Sequence, residues 1–129
     1  MKFLKNLFQT ESEKEPAIQI NWVDLRSMDQ VDVLQDTSFH HPQVIFKHST
    51  NCGISSLVRR SFEKDPNHPT TGITYYILDL IAFRNISNTI AENYGVRHES
   101  PQVLVVKEGR VVAHASHHSI DSIDLREFA

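Results

Sequence analysis

The stretch Val44-Ile45-Phe46-Lys47-His48-Ser49-Thr50-Asn51-Cys52-Gly53-Ile54-Ser55 constrains this chain more than any other. Val44 to Phe46 is an apolar run and predicts a buried strand. Beyond a short polar turn, Ile54, Leu57, Val58 and Phe62 return at i, i+3, i+4 and i+8, which predicts one apolar face of a helix. Cys52, the chain's only cysteine, therefore falls at or beside a helix N-terminus. Backbone N–H groups there lack intrahelical partners and the helix dipole places partial positive charge there, so both favour a thiolate, the attacking species in thiol chemistry. The other reading of a single cysteine is a small buried apolar side chain with no chemical role.

Several classes of function are excluded by the bulk properties. With 129 residues, 40% of them hydrophobic, the chain fits one domain with room for a core. A formal charge of -3, with Lys and Arg scattered, leaves no basic footprint for nucleic acid or an anionic membrane surface. One cysteine cannot form an internal disulfide, and the apolar start at Phe3, Leu4, Leu7 and Phe8 is too short and interrupted for a signal peptide. The expected compartment is the reducing cytoplasm. No apolar run approaches membrane-spanning length.

Taken in order, residues 1–16 read as a loosely held N-terminal segment, with a docked helical turn built on Phe3, Leu4, Leu7 and Phe8 as the alternative; residues 17–129 form the domain. Ile18 to Val23 predicts a first strand, in which Trp22 is a packing residue. Ser27, with Gln30 three positions later, is a capping box for a helix over Met28, Val31 and Leu34 that ends near Thr37. Pro42 marks a connection into the Cys52-bearing strand. The breakers from Asp65 to Gly72 form a loop before a strand over Ile73 to Leu80. Arg84 to Tyr94 is a helix stopped by Gly95. Val103 to Val106, a turn at Glu108-Gly109, and Val111 to Ala113 form a hairpin, and a last helix starts near Ser119. The order β-α-β-α-β-α-β-β-α predicts an α/β fold whose central mixed sheet carries helices on both faces. With a cysteine after the second strand and a proline just before the hairpin, this is a thioredoxin-like layout.

Four groups of residues carry a resemblance: His48-Ser49-Thr50 leading into Cys52-Gly53-Ile54-Ser55; Ser87-Asn88 with Ile90-Ala91; Gly95-Val96 followed by His98-Glu99-Ser100-Pro101-Gln102; and His114-Ala115-Ser116-His117. From about Gln43 to Ser119 the chain resembles the bacillithiol-system redox family of thioredoxin-like proteins, the YtxJ or monothiol bacilliredoxin type. Members of that family typically carry Thr-Cys-Pro-Ile-Ser, whereas this chain has Asn51-Cys52-Gly53-Ile54-Ser55. The resemblance implies that Cys52 attacks the mixed disulfide between bacillithiol and a client protein's cysteine. Cys52 would take the small thiol onto itself, and bacillithiol or a reductase would then clear it. It implies no cofactor beyond bacillithiol as co-substrate, and substrate contacts from Thr50, Asn51, Gly53 and Ser55 on one side and His98, Ser100 and Pro101 on the other.

Each candidate has a competing reading. Gly53 loosens the helix start that a proline would preset, and adds an N–H that can reach the sulfur. Ser55 either bonds the nucleophile or caps backbone. Ser100-Pro101 is expected to be cis and to line the groove; the alternative is a trans proline that starts a strand. His98, three residues before Pro101, either holds substrate or stabilises a thiolate, or it is a solvated loop residue. Arg59 and Arg60 read as surface residues of the helix. His40, His41, His114, His117 and His118 invite a metal site, but strand-end and loop spacing without a second cysteine argues against one. Three functions compete: a monothiol exchanger, a thioredoxin-like binding module or iron–sulfur carrier, and a catalytically silent relative.

Overall fold

Six consecutive residues, Gln43–His48, are buried on both faces of one strand, and the other elements are arranged around them in the computed structural model, which describes residues 20–129. In chain order these are β1 (Trp22–Asp24), α1 (Met28–Thr37), β2 (Gln43–His48), α2 (Gly53–Lys64), β3 (Thr74–Asp79), α3 (Arg84–Tyr94), β4 (Gln102–Lys107) and β5 (Arg110–Ser116). They form a five-stranded sheet of order β1-β3-β2-β4-β5. β1, β3 and β2 run parallel, whereas β4 is antiparallel to β2 and β5 to β4. This is the thioredoxin-like α/β layout expected from the element order. The segment predicted for residues 1–16, and its docked-turn alternative, lie outside the described residues.

Strand alternation sends the apolar side chains of β2 into two cores. Ile45 joins Tyr76, Leu78, Leu104 and Val106 under α1 and α3, which contribute Val31, Leu34, Ile86 and Ile90. Val44 and Phe46 join Tyr75, Ile77, Val103 and Val105 under α2, which contributes Val58 and Phe62. The local signals hold where chemistry dictates them. Ser27 and Gln30 form the capping box, Gly95 stops α3 in the left-handed conformation at φ 65, and Glu108 and Gly109 turn the hairpin at φ 54 and 79. Gly109 is required by its positive φ; a Cβ there would also meet the side-chain tips of Phe39 at 2.6 Å and Gln35 at 2.8 Å, which can shift.

Two expectations are corrected. The inward stripe of α2 is Ser55, Val58 and Phe62, at i, i+3 and i+7, while Ile54 and Leu57 are 51% and 59% exposed. The stripe is rotated because a serine, not an apolar residue, occupies its first inward position. The last helix is replaced by two 3-10 turns, His117–Ser122 and Leu125–Glu127, separated by the extended Ile123. Ile120 and Leu125 are both buried in the α2-side core. Their five-residue spacing does not share one face of an α-helix, so the chain breaks between them.

Phe62 anchors α2 through aromatic contacts, with ring centroids 5.3 Å from Phe46, 6.0 Å from Trp22 and 6.4 Å from Tyr75. Phe62→Ala is expected to lower the unfolding free energy by about 3–5 kcal/mol, read from urea denaturation. A loss below about 1 kcal/mol would show that α2 is held by other means.

Candidate functional site

Cys52 is the N-cap of α2, with φ -110 and ψ 119, and is partly exposed as a free thiol. Its backbone N–H donates to the Ser49 carbonyl at 3.2 Å and its carbonyl accepts from Ser56 N–H at 3.2 Å, while its side chain makes no capping bond. The backbone thus starts the helix and leaves the sulfur uncommitted. Thr50, Asn51 and Gly53 are exposed around it.

Ser55 takes the second of its two alternatives and bonds backbone. It is fully buried, and its Oγ accepts from Ser49 N–H at 3.1 Å and pairs with His48 Nδ1 at 2.7 Å. It holds the turn from inside. His48 also lines an open cleft of about 400 Å³ with Thr50, Arg59, Arg26, Asp24 and Asp79. Burial holds His48 below the ordinary histidine pKa; Arg59 adds to the effect, and Asp79 and Glu63 oppose it. Arg59 is no free surface charge: it pairs with Glu63 at 3.2 Å and lies over the Trp22 ring, 5.8 Å from its centroid.

The opposing wall comes from β4. The Ser100-Pro101 bond is cis, and Pro101 is buried. Lys47 is the partner of Gln102 in the antiparallel ladder, so Pro101 falls level with His48, at the sheet end from which the Cys52 turn departs. Gln102 Nε2 donates to the Arg97 carbonyl at 2.9 Å and ties down the loop that holds His98, Ser100 and Pro101. Ser100 Oγ is buried with no hydrogen-bond partner among the described residues, a hydroxyl unspent within the fold. His98 is half-buried and meets two residues to which the sequence reading gave no site role, Ser87 Oγ at 3.0 Å and Lys47 Nζ at 3.3 Å. Lys47 is fully buried, and burial pulls its pKa down to about 8. His98 is held below its ordinary value by burial first, then by Lys47 and Arg84, against Glu99. The signal available for Lys47 was its place two residues after Ile45 in a strand buried on both faces. His114, His117 and His118 are exposed, and among the described residues no three potential metal ligands group together. No described helix is long and apolar enough to cross a membrane.

The sequence profile of the family described as monothiol bacilliredoxin BrxC matches residues 23–125. Among solved structures, a thioredoxin-fold protein provisionally described as an oxidoreductase superposes with TM-score 0.68 at 28% identity, covering 82% of this chain and 91% of that one. Thioredoxin from Trypanosoma brucei brucei gives TM-score 0.67 at 19% identity, covering 86% and 93%. Oxidised thioredoxin O2 from Arabidopsis thaliana gives 0.64 at 16%, covering 88% and 100%. The two thioredoxins, at these identities, speak for the fold alone.

Two outcomes follow from this geometry. Gly53 is the first residue of α2, its φ lies outside the left-handed region, and a Cβ there would meet nothing within 4 Å. Cys52 before it already occupies the extended region that a following proline demands. Gly53→Pro is therefore expected to fold and to raise stability by about 0.4–1 kcal/mol in thermal or urea unfolding. Destabilisation would mean that the Gly53 N–H is needed within the fold.

The second outcome concerns acid. His48, His98 and His68 all have folded pKa values below the ordinary one, each chiefly through burial. The unfolded chain therefore takes up these protons first, so their contribution is complete above about pH 6.5 and declines as pH falls below it. The urea midpoint should drop between about pH 7 and about pH 5, and His48→Gln should flatten that slope. A midpoint that rises on acidification would contradict neutral, buried imidazoles.

Proposed function

The chain belongs to the monothiol bacilliredoxin family, a thiol redox family, and from that membership we propose that Cys52 removes bacillithiol from mixed disulfides on client proteins. The observation that carries this reading is one uncommitted, partly exposed sulfur at a helix N-cap, set at the same sheet end as the cis Ser100-Pro101 loop. The Cys52 thiolate attacks the bacillithiol sulfur. A Cys52–bacillithiol disulfide forms, the client's disulfide bond breaks, and the client cysteine leaves as a thiolate that takes its proton from solvent. Thr50, Asn51 and Gly53 border the incoming disulfide on the helix side, and His98, Ser100 and Pro101 on the loop side. Ser55 supports the turn from within.

Cysteine arithmetic fixes the second half of the cycle. The chain has one cysteine, so no internal thiol can resolve the adduct. Bacillithiol attacks it and leaves as its own disulfide, or a reductase supplies the electrons. The protein acts without a resident cofactor, in a reducing cytoplasm where bacillithiol is the co-substrate.

Reduced protein incubated with a bacillithiolated model client, and no free thiol, is expected to gain one bacillithiol mass on Cys52 and to release the client. Cys52→Ser should abolish both events, and turnover should begin only when bacillithiol or a reductase is added. Mass spectrometry of protein and client reads each species. Client that stays modified beside unmodified wild-type protein would remove the exchanger reading and favour a silent relative. A coloured, dimeric preparation with iron would favour the cluster carrier.

A further inference from the structure

Lys47 is the least expected side chain in the molecule. It is fully buried on the central strand, and among the described residues no carboxylate pairs with it. Its Nζ donates to the Ser87 carbonyl at 3.3 Å and lies 3.3 Å from His98 Nδ1. A buried ammonium held by two long hydrogen bonds does not favour folding, and an apolar residue of similar length would serve the core better. Its benefit is therefore found in what it does to His98.

As an ammonium Lys47 only donates, so Nδ1 of His98 presents its single lone pair to it, and the Ser87 hydroxyl 3.0 Å away can donate only by sharing that lone pair as the second arm of a bifurcated contact. The ring proton is then on Nε2, which has no partner among the described residues. That N–H stands on the loop that leads into Ser100 and Pro101. Charge around it favours an anion, since Lys47 and Arg84 face His98 against Glu99 alone, and Glu99 already accepts from Ser116 Oγ at 3.0 Å.

We propose that Lys47 and Ser87 are positioning residues that lock His98 as an Nε2–H donor beside the Ser100-Pro101 loop, and that this donor takes a carboxylate on the small-thiol half of the mixed disulfide. The assignment of the ligand rests on the exchanger reading; the lock on the imidazole does not. Lys47 and Ser87 touch no substrate and act through His98. The site thereby selects mixed disulfides of carboxylate-bearing thiols over neutral ones of similar length.

The test uses one cysteine peptide capped either with mercaptopropionate or with mercaptoethanol, together with nitrogen-15 spectra of the histidine rings. Wild-type protein should show His98 as the neutral Nε2–H tautomer and favour the carboxylate cap by roughly tenfold in the second-order rate constant of single-turnover exchange, the scale of one charge-assisted hydrogen bond. His98→Ala should bring the ratio close to unity, and His98→Gln, whose amide N–H replaces Nε2–H, should restore most of it. Lys47→Met should keep or raise stability while the His98 spectrum becomes a tautomer mixture and the ratio falls. Ser87→Ala, which leaves the buried charge in place, should move both readouts in the same direction. An Nδ1–H tautomer in the wild type, or a ratio that survives His98→Ala, overturns the proposal. Failure to exchange with either cap overturns the exchanger reading and its ligand assignment, while the tautomer spectrum still decides the lock.

Discussion

The site depends on one buried hydroxyl. Ser55 Oγ bonds both His48 Nδ1 and Ser49 N–H, and so pins the first turn of α2 to the last residue of β2. A strand-to-helix connection of four residues, Ser49 to Cys52, would otherwise be free to swing, because Thr50 and Asn51 are exposed and contribute no packing. The His48 carbonyl is held in turn by Leu80 N–H at 3.0 Å, which extends the ladder between β2 and β3 to the edge of the turn. The sulfur is thus placed by the sheet, through hydrogen bonds buried beneath it. Such bonds are strong where water is absent and costly to leave unmade.

β2 supplies both sides of the site from successive positions. His48 points with Val44 and Phe46 toward α2, where it meets Ser55, and Lys47 points with Ile45 toward α3, where it meets Ser87 and His98. Pleat alternation alone sends neighbouring residues to opposite faces. The antiparallel register then sets Pro101 beside His48, so the helix-side wall and the loop-side wall are indexed to the same two residues of one strand. A slip of one residue in that register would exchange the faces of Lys47 and His48 and dismantle both walls together. Apolar partners on both faces of β2 specify the register strongly.

The fold was legible because its signals are local and redundant. Ser27 with Gln30, Gly95, and Glu108-Gly109 each call for one backbone geometry, and the alternation of strand and helix leaves few ways to close the sheet. Cys52 and Pro101 were legible for the same reason, since both lie at element boundaries that the pattern marks. What escaped was long-range. Ser55 read as a neighbour of the sulfur because it sits one helical turn away, but its orientation is set by His48 across the turn. Lys47 escaped because a lysine that opens a polar turn and a lysine near the end of a buried strand have the same local sequence. Ile54 and Leu57 have the right spacing for a core stripe, and only the position of the sheet shows that Val58 and Phe62 take it alone.

The buried ammonium shares its side of the sheet with the buried polar side chains Gln43, Ser87 and Gln102, and a larger apolar set surrounds them. Leu34, Ile45, Leu78, Ile90 and Leu104 are all fully buried on the Lys47 side of the sheet, and each contributes roughly 1.5–3 kcal/mol relative to exposure. Against this background the penalty of desolvating one amine is tolerable, particularly for an amine whose pKa burial has already brought down to about 8. The same burial strengthens its hold on His98, because a 3.3 Å contact made by a buried nitrogen is screened less than one between exposed groups. Had Lys47 been exposed, water would compete for both the ammonium and the imidazole, and neither tautomer nor ring orientation would be fixed. Cost and effect have one origin, and a lysine that could be moved to the surface would lose both.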